Sequence, residues 1–126
     1  KSDQAGLRDA LFKAHVDGGF TPPNLKDVLE ALNVDAKAAA PVLKLLCEDG
    51  SLVKVKDGLY FHGPVIQELK ARMQAWFTSH DDLDPAGFKE LSGGLSRKYV
   101  IPLLEYFDRE RVTIRVGDKR QFRGRG

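Results

Sequence analysis

The feature that most constrains this chain is an internal repeat, because similar residues recur in the same order at a spacing of 61 to 63 residues. Residues 25–28 (LKDV) resemble residues 88–91 (FKEL), and Pro41 is matched by Pro102. The other matched pairs are Leu32 and Leu95, Lys54 and Arg115, Asp57 and Asp118, and Phe61 and Phe122. An ordered series at nearly constant spacing predicts two copies of one structural unit. We therefore expect two domains, 1–63 and 64–126, joined near Gly63-Pro64.

The first copy carries signals for three helices followed by a β-hairpin. Apolar residues recur at helical spacing from Leu7 to Ala14, and paired glycines follow them. Two strand-forming runs then flank a turn that contains Gly58, which is the pattern of a β-hairpin. The predicted bounds are Gly18-Gly19 for the end of the first helix, Asn24 to Leu32 for the second, Asp35 to Asp49-Gly50 for the third, and 52–55 and 59–61 for the strands.

The second copy repeats this order of signals. Asp84-Pro85 is an N-cap residue followed by proline at the first helical position, which predicts the start of its second helix. Ser96 is expected to cap its third helix. The predicted bounds are 66–77 for the first helix, Gly93-Gly94 for the end of the second, 97–107 for the third, and 112–116 and the residues up to Phe122 for the strands around Gly117-Asp118.

Three helices and a two-stranded ribbon, in this order, are typical of a winged helix. In such a fold the second and third helices form a helix-turn-helix, and the hairpin is the wing. The predicted fold class is therefore mainly α with small β-hairpins (α+β), arranged as two tandem winged-helix domains. Pro41 and Pro102 fall near the start of the two predicted third helices. Because proline removes a backbone donor, we expect it to interrupt both helices there.

Composition argues against several classes of function. No apolar run approaches the roughly 20 residues of a membrane span, so we expect no membrane partner. The single cysteine, Cys47, excludes an internal disulfide and suits the reducing cytoplasm. The histidines lie far apart and the common catalytic motifs are absent, so we expect no metal, no cofactor and no catalysis in this chain. The chain does not begin with Met, so we expect it to be a piece of a longer protein.

The net charge of +2 conceals an asymmetry along the chain. The first 96 residues sum to −3 and the last thirty to +5, which predicts a surface for a polyanion near the end. Arg97 and Lys98 fall at the predicted start of a helix, where free backbone N–H groups also favour a phosphate. We expect them to merge with the cations of the wing into one patch. The candidate residues are Ser96, Arg97, Lys98, Tyr99, Arg115, Gly117, Asp118, Lys119, Arg120 and Arg123.

The first copy provides an internal control for this patch. Its third helix begins with one cation, Lys37, among small apolar residues, and its wing carries two lysines together with Asp57. The cations of the second copy are therefore not required by the fold, which favours a functional role over a merely solvated surface. Arg109 and Arg111 are left out because they alternate with acidic residues that offer local ion pairs.

Residues 96–108 (SRKYVIPLLEYFD) and 116–120 (VGDKR) resemble the C-terminal end of the bacterial selenocysteine-specific elongation factors, the SelB family. More weakly, the whole chain is similar to the last two of that family's four winged-helix domains. The resemblance implies that the second copy binds the SECIS hairpin of a selenoprotein mRNA beside an in-frame UGA codon, through the candidate residues above. We expect the first copy to serve as spacer and support, and the chain to be a cytoplasmic monomer.

The resemblance also implies a preceding GTPase that uses GTP and magnesium, carries selenocysteinyl-tRNA and works on the ribosome. Two other functions stay open: a DNA-binding module of a transcription regulator, and a scaffold for protein interactions. Tyr99 could stack on a base or pack in the core, and Asp118 could accept from a guanine amino group or shape the turn. Residues 124–126 match no pattern and are expected to form a loose tail.

Overall fold

The computed structural model describes residues 2–123, and it divides into two compact units, Lys1–Ile66 and Gln67–Gly126. The first unit contains α1 (Ser2–Gly18), α2 (Leu25–Leu32), α3 (Ala36–Glu48), β1 (Leu52–Lys56) and β2 (Leu59–His62). The helix α4 (Gly63–Trp76) contains the boundary between the units. The second unit continues with α5 (Pro85–Leu91), α6 (Arg97–Arg109), β3 (Thr113–Val116) and β4 (Lys119–Phe122). The predicted tail at residues 124–126 lies outside the described residues.

The fold class predicted from the sequence is confirmed: helices dominate, and each unit ends its helical part with an antiparallel pair of strands. The strand β1 pairs with β2, and β3 pairs with β4. Within residues 2–123, no helix is both long and apolar enough to cross a membrane.

The core of the first unit forms where α1, α3 and the first hairpin meet. Leu11 of α1, Leu46 of α3 and Leu52 of β1 are all buried there. Gly63 lies directly against the backbone of Gly50. A Cβ at position 63 would overlap the Gly50 carbonyl oxygen, so glycine permits this contact. The hairpin is thus fixed at both ends to the helices of its own unit.

The core of the second unit combines α4, α5 and α6 around aromatic side chains. Phe88 of α5 and Phe107 of α6 are fully buried, with ring centroids 6.5 Å apart. Trp76 donates its indole N–H to the carbonyl oxygen of Asp82 at 2.9 Å. A Cβ on Gly87 would lie 2.9 Å from the Trp76 ring, so glycine permits this close approach of α5. The segment between α4 and α5 is therefore tied down.

The predicted helix starts are confirmed at Asp35 and Asp84. The Asp35 carboxylate accepts from the backbone N–H of Ala38 at 2.9 Å, and Asp84 accepts from that of Gly87 at 2.8 Å. Ser96 does occupy the N-cap position of α6, but its side chain makes no capping hydrogen bond, so that part of the prediction is wrong.

The predicted interruption of the third helices is also wrong. Pro41 lies within the continuous helix α3, and Pro102 lies within the continuous helix α6. Each proline removes a single backbone donor, while the helices bury several apolar side chains on the side that faces the core. That packing outweighs the loss of one hydrogen bond.

Candidate nucleic-acid interface

The first turn of α6 presents two cations from a well-anchored backbone. Leu95, Tyr99 and Val100 are buried, whereas Arg97 and Lys98 are exposed. The N–H groups in the first turn of an α-helix have no partners within the helix, and the positive end of the helix dipole lies there. The Tyr99 N–H donates to the Ser96 carbonyl oxygen at 3.0 Å, so the N–H groups of Arg97 and Lys98 are the donors that face a ligand or water. The turn can therefore hold an anionic oxygen.

Tyr99 lies inside the fold. Its side chain is 8% exposed, and the Lys98 ammonium lies 5.3 Å from the centroid of its ring. The structure thus favours core packing over an open stacking position for this residue, and the ring gives Lys98 a cation–π contact at the surface.

The second wing is the β3–β4 hairpin, whose two-residue turn is Gly117-Asp118. Gly117 has a φ of +68°, which suits the first central position of a tight hairpin turn. The guanidinium Nε of Arg115 donates to the Gly117 carbonyl oxygen at 2.8 Å, so this exposed side chain folds along the turn. The wing tip therefore carries a cation whose side chain also hydrogen-bonds the turn.

Arg120 does not lie on the surface with the other cations of the wing. Its side chain is only 4% exposed, and its guanidinium donates to the Asp108 carboxylate, with Nη2 at 2.9 Å from Oδ2. The Thr113 hydroxyl donates to the same carboxylate at 2.6 Å. This placement argues against the expectation that Arg120 reaches RNA. The fold uses it to fasten β4 to the last turn of α6.

A backbone bridge that the sequence did not reveal connects the wing to the segment before α5. Leu83 and Arg120 exchange both N–H···O bonds, at 2.8 and 2.7 Å. Beside this bridge, the Lys119 ammonium lies 3.8 Å from the Asp82 carboxylate, with both side chains half exposed. A bridge made by one residue has no sequence periodicity, so it could not be predicted. The sequence of residues 81–84 indicated only an acidic loop and the start of a helix.

These contacts attach the wing near the C-terminal end of α6, where Asp108 lies. Arg97 lies at the other end of the helix, about 17 Å away along the axis at 1.5 Å per residue. The last candidate, Arg123, is exposed just after β4, and its backbone N–H donates to the Val112 carbonyl oxygen at 3.0 Å. The candidate cations thus fall into two groups, Arg97 and Lys98 at the start of α6 and those of the wing attached near its end. That the two groups form one patch stays a prediction.

The first unit lacks a comparable set of cations at the same elements. Its wing pairs Lys54 with Asp57 at 3.1 Å, and the hydrogen bond that the Lys54 ammonium donates to the Asp57 carboxylate raises the pKa of the lysine. Cys47 is half-buried and burial raises the pKa of its thiol, which disfavours the nucleophilic thiolate. Within residues 2–123, no three His, Cys, Asp or Glu side chains are grouped to hold a metal ion.

Comparison with known proteins finds similar sequences and structures in one protein family. Residues 75–122 match the family model described as elongation factor SelB, winged helix. The selenocysteine-specific elongation factor of Desulfomicrobium baculatum is 40% identical over 124 residues, covering 98% of this chain and 19% of the relative. This chain thus spans about a fifth of the length of that curated relative.

Two solved structures share the fold. The mRNA-binding domain of elongation factor SelB from E. coli, in complex with SECIS RNA, aligns with a TM-score of 0.79 at 24% identity, covering 94% of this chain and 95% of that one. A bacterial selenocysteine-specific elongation factor EF-Sec aligns with a TM-score of 0.72 at 22% identity, covering 97% of this chain and 19% of that one. Residues 75–122 thus match the SelB winged helix, and nearly the whole chain is similar in sequence to a selenocysteine-specific elongation factor.

Proposed function

We propose that this chain is the mRNA-binding part of a selenocysteine-specific elongation factor, and that its second unit binds a SECIS hairpin. The observation that carries the proposal is the 40% identity to such a factor over nearly the whole chain. The SECIS complex of the structurally similar E. coli domain supports the choice of ligand. The exposed cations at the start of α6 and on the second wing supply the required charge.

RNA geometry determines how such a surface works. The major groove of an A-form stem is too deep and narrow for side chains to read, whereas a hairpin loop offers unpaired bases and splayed phosphates. Arg97 and Lys98, together with the backbone donors of their turn, bind phosphate oxygens. Arg115 and Lys119 bind the backbone on the other side of the loop. The wing's own turn is held by Arg115, so binding requires little reordering there.

The rest of the proposal concerns the longer protein. A GTPase that binds GTP and magnesium would deliver selenocysteinyl-tRNA to the ribosome in the cytoplasm, while this chain binds the mRNA beside the UGA codon. The chain itself performs no catalysis in this scheme. The first unit acts as a spacer between the GTPase and the RNA-binding unit.

The test is a binding comparison between RNA and DNA. A pool of RNA hairpins with one fixed stem and a randomised loop is selected against the chain, and the tightest binder is compared with duplex DNA of the stem sequence by gel shift. We expect the RNA hairpin to bind and the duplex to bind weakly, with an RNA affinity that falls steeply as salt rises. Recovery of no binding hairpin, or equal binding of duplex DNA, would contradict the proposal.

A further inference from the structure

A surface cleft of about 650 Å³ lies between α3 and the first wing. It belongs wholly to the first unit, so it is separate from the candidate RNA-binding residues, all of which lie in the second. Its volume is within the range of pockets that bind small molecules. The lining side chains that determine its chemistry are Leu25, Ala40, Leu43, Cys47, Lys54 and Tyr60.

The sequence repeat shows that the winged-helix fold does not require this cleft. Ala40 lines the cleft, and the matched residue of the second unit is Ile101, at the spacing of 61 residues that also relates Pro41 to Pro102. Isoleucine has a much larger side chain than alanine, so it occupies volume that alanine leaves empty. The small residue at position 40 therefore opens a space that the other copy of the fold fills with a side chain.

The floor of the cleft is apolar. Leu43 is 5% exposed and Leu25 is half-buried, and both line the cleft beside the Cys47 thiol. Burial raises the pKa of that thiol, so Cys47 stays neutral and acts as a small apolar side chain. An aromatic ring or an aliphatic chain that packs on this floor is removed from water, which favours its binding.

Two polar groups stand together on the wing side of the cleft. Tyr60 is only 8% exposed, yet its hydroxyl makes no hydrogen bond to any residue that the structure describes. Burial raises the pKa of Tyr60, so the hydroxyl stays protonated and can donate to a ligand. Lys54 lies directly opposite Tyr60 in the hairpin register, and its ammonium favours a negative charge beside that hydroxyl.

The charges around these two donors fit a ligand with one negative charge. Lys54 pairs with Asp57 at 3.1 Å, but the Asp57 side chain is fully exposed, so this pair contributes little and leaves the ammonium available. The Glu48 carboxylate also lines the cleft and disfavours a more highly charged anion. A carboxylate therefore suits the site better than a phosphate monoester, which carries nearly two charges at neutral pH.

We propose that this cleft of the first unit binds a small molecule that joins one carboxylate to an apolar body. The carboxylate accepts from the Lys54 ammonium and the Tyr60 hydroxyl, and the apolar body lies on the floor formed by α2 and α3. This site works independently of RNA binding by the second unit.

The experiment uses the whole chain and the probe 2-naphthoate, followed by the backbone amide NMR signals of the cleft residues. We expect saturable shifts with a Kd below about 1 mM, a reasonable affinity for a probe of about 13 non-hydrogen atoms. The neutral analogue 2-naphthalenemethanol and the dianion 2-naphthyl phosphate should each bind at least about tenfold more weakly. An absence of shifts at millimolar 2-naphthoate, or equal affinity for either analogue, would overturn the inference.

Two variants test the polar groups. Tyr60→Phe removes only the hydroxyl, so we expect 2-naphthoate to bind at least about threefold more weakly while the urea midpoint of the first unit stays unchanged. Lys54→Met should weaken binding by about tenfold. Lys13→Met is the matched control, because Lys13 also pairs with a nearby aspartate but does not line the cleft. Normal affinity of both Tyr60→Phe and Lys54→Met would contradict the proposed site.

A third variant tests the space itself. Ala40→Ile introduces the residue of the second unit and should abolish binding of 2-naphthoate by filling the cleft. Ala38→Ile makes the same change at an exposed position of α3 that does not line the cleft, and it should bind normally. Amide NMR spectra confirm that both variants are folded. Normal affinity of a folded Ala40→Ile protein would place the probe elsewhere and overturn the inference.

Discussion

The two wings share a fold but are attached to it by different forces. The first wing buries apolar side chains, including Val55 and Phe61, against the helices of its unit. The second wing is fastened by a buried ion pair between Arg120 and Asp108 and leaves two apolar side chains of β3 exposed. The difference teaches that charge alone does not mark a binding residue. One cation of the second wing, Arg120, serves the fold instead of the surface.

The largest expected effect comes from breaking that ion pair. Arg120→Ala leaves the Asp108 carboxylate partly buried without its cation, so we expect the second unit to lose about 3–5 kcal/mol of stability. Urea unfolding followed by the fluorescence of Trp76, the single tryptophan, reports on this unit.

Arg8→Ala is the matched control, because its ion pair with Asp49 in the first unit is about half exposed. It should cost the first unit less than about 1 kcal/mol, measured by the NMR signals of first-unit residues because Trp76 lies in the second unit. An Arg120→Ala protein that keeps its unfolding midpoint but loses RNA affinity would instead restore Arg120 as an RNA contact.

The next largest effect compares the contributions of α3 and α6 to RNA binding. Arg97→Ala should weaken hairpin binding by about 1–3 kcal/mol, because a guanidinium contact to phosphate or base is lost. Lys37→Ala changes the one cation at the corresponding start of α3 and should leave affinity unchanged. Titration of both variants with the selected hairpin measures the difference. Equal losses would mean that the first unit also contacts RNA through this helix.

A pH experiment distinguishes the units by stability. His15 is fully buried, its Nδ1 lies 2.7 Å from the Leu11 carbonyl oxygen, and its Nε2 has no partner among the described residues. Burial lowers the pKa of His15 below the ordinary 6.5. The unfolded chain therefore takes up the proton first, so the stability of the first unit is complete above pH 6.5 and falls as pH drops through that value.

The expected slope is at most about 1.4 kcal/mol per pH unit, the value for one proton. Urea unfolding between pH 8 and 5, followed by the NMR signals of first-unit residues, measures it. His15→Leu should flatten the slope. A pH-independent midpoint in the unaltered protein would show that the ring is hydrated or reoriented.

Local signals predicted most of the fold, and contacts between distant residues account for what was missed. Caps such as Asp35 and Asp84, and the glycines of both hairpins, act within a few residues and could be recognised directly. The partner of Asp108 lies twelve residues away on another element, while adjacent arginines offered plausible local pairs. Likewise, the backbone bridge between Leu83 and Arg120 could be recognised only once the structure placed the wing beside Leu83. The exposure of Val116 depends on which side of β3 faces the core, and strand alternation alone does not decide that.

The smallest expected effect concerns the two wing tips, which carry the same residues in opposite order: Asp57-Gly58 and Gly117-Asp118. In the first wing, the aspartate pairs with Lys54. In the second, Arg115 bonds to the Gly117 carbonyl oxygen, and Asp118 is exposed beside it.

If Asp118 only shapes the turn, then Asp118→Asn keeps the turn and removes an anion from a phosphate-binding surface. Hairpin affinity should then rise by about twofold at low salt and by less at high salt, because the repulsion is screened. An aspartate that accepts from a guanine amino group would give the opposite sign, a loss of about 1–3 kcal/mol confined to hairpins that carry the guanine. Titrations of Asp118→Asn at two salt concentrations decide between these roles, and Asp57→Asn in the first wing should change neither titration.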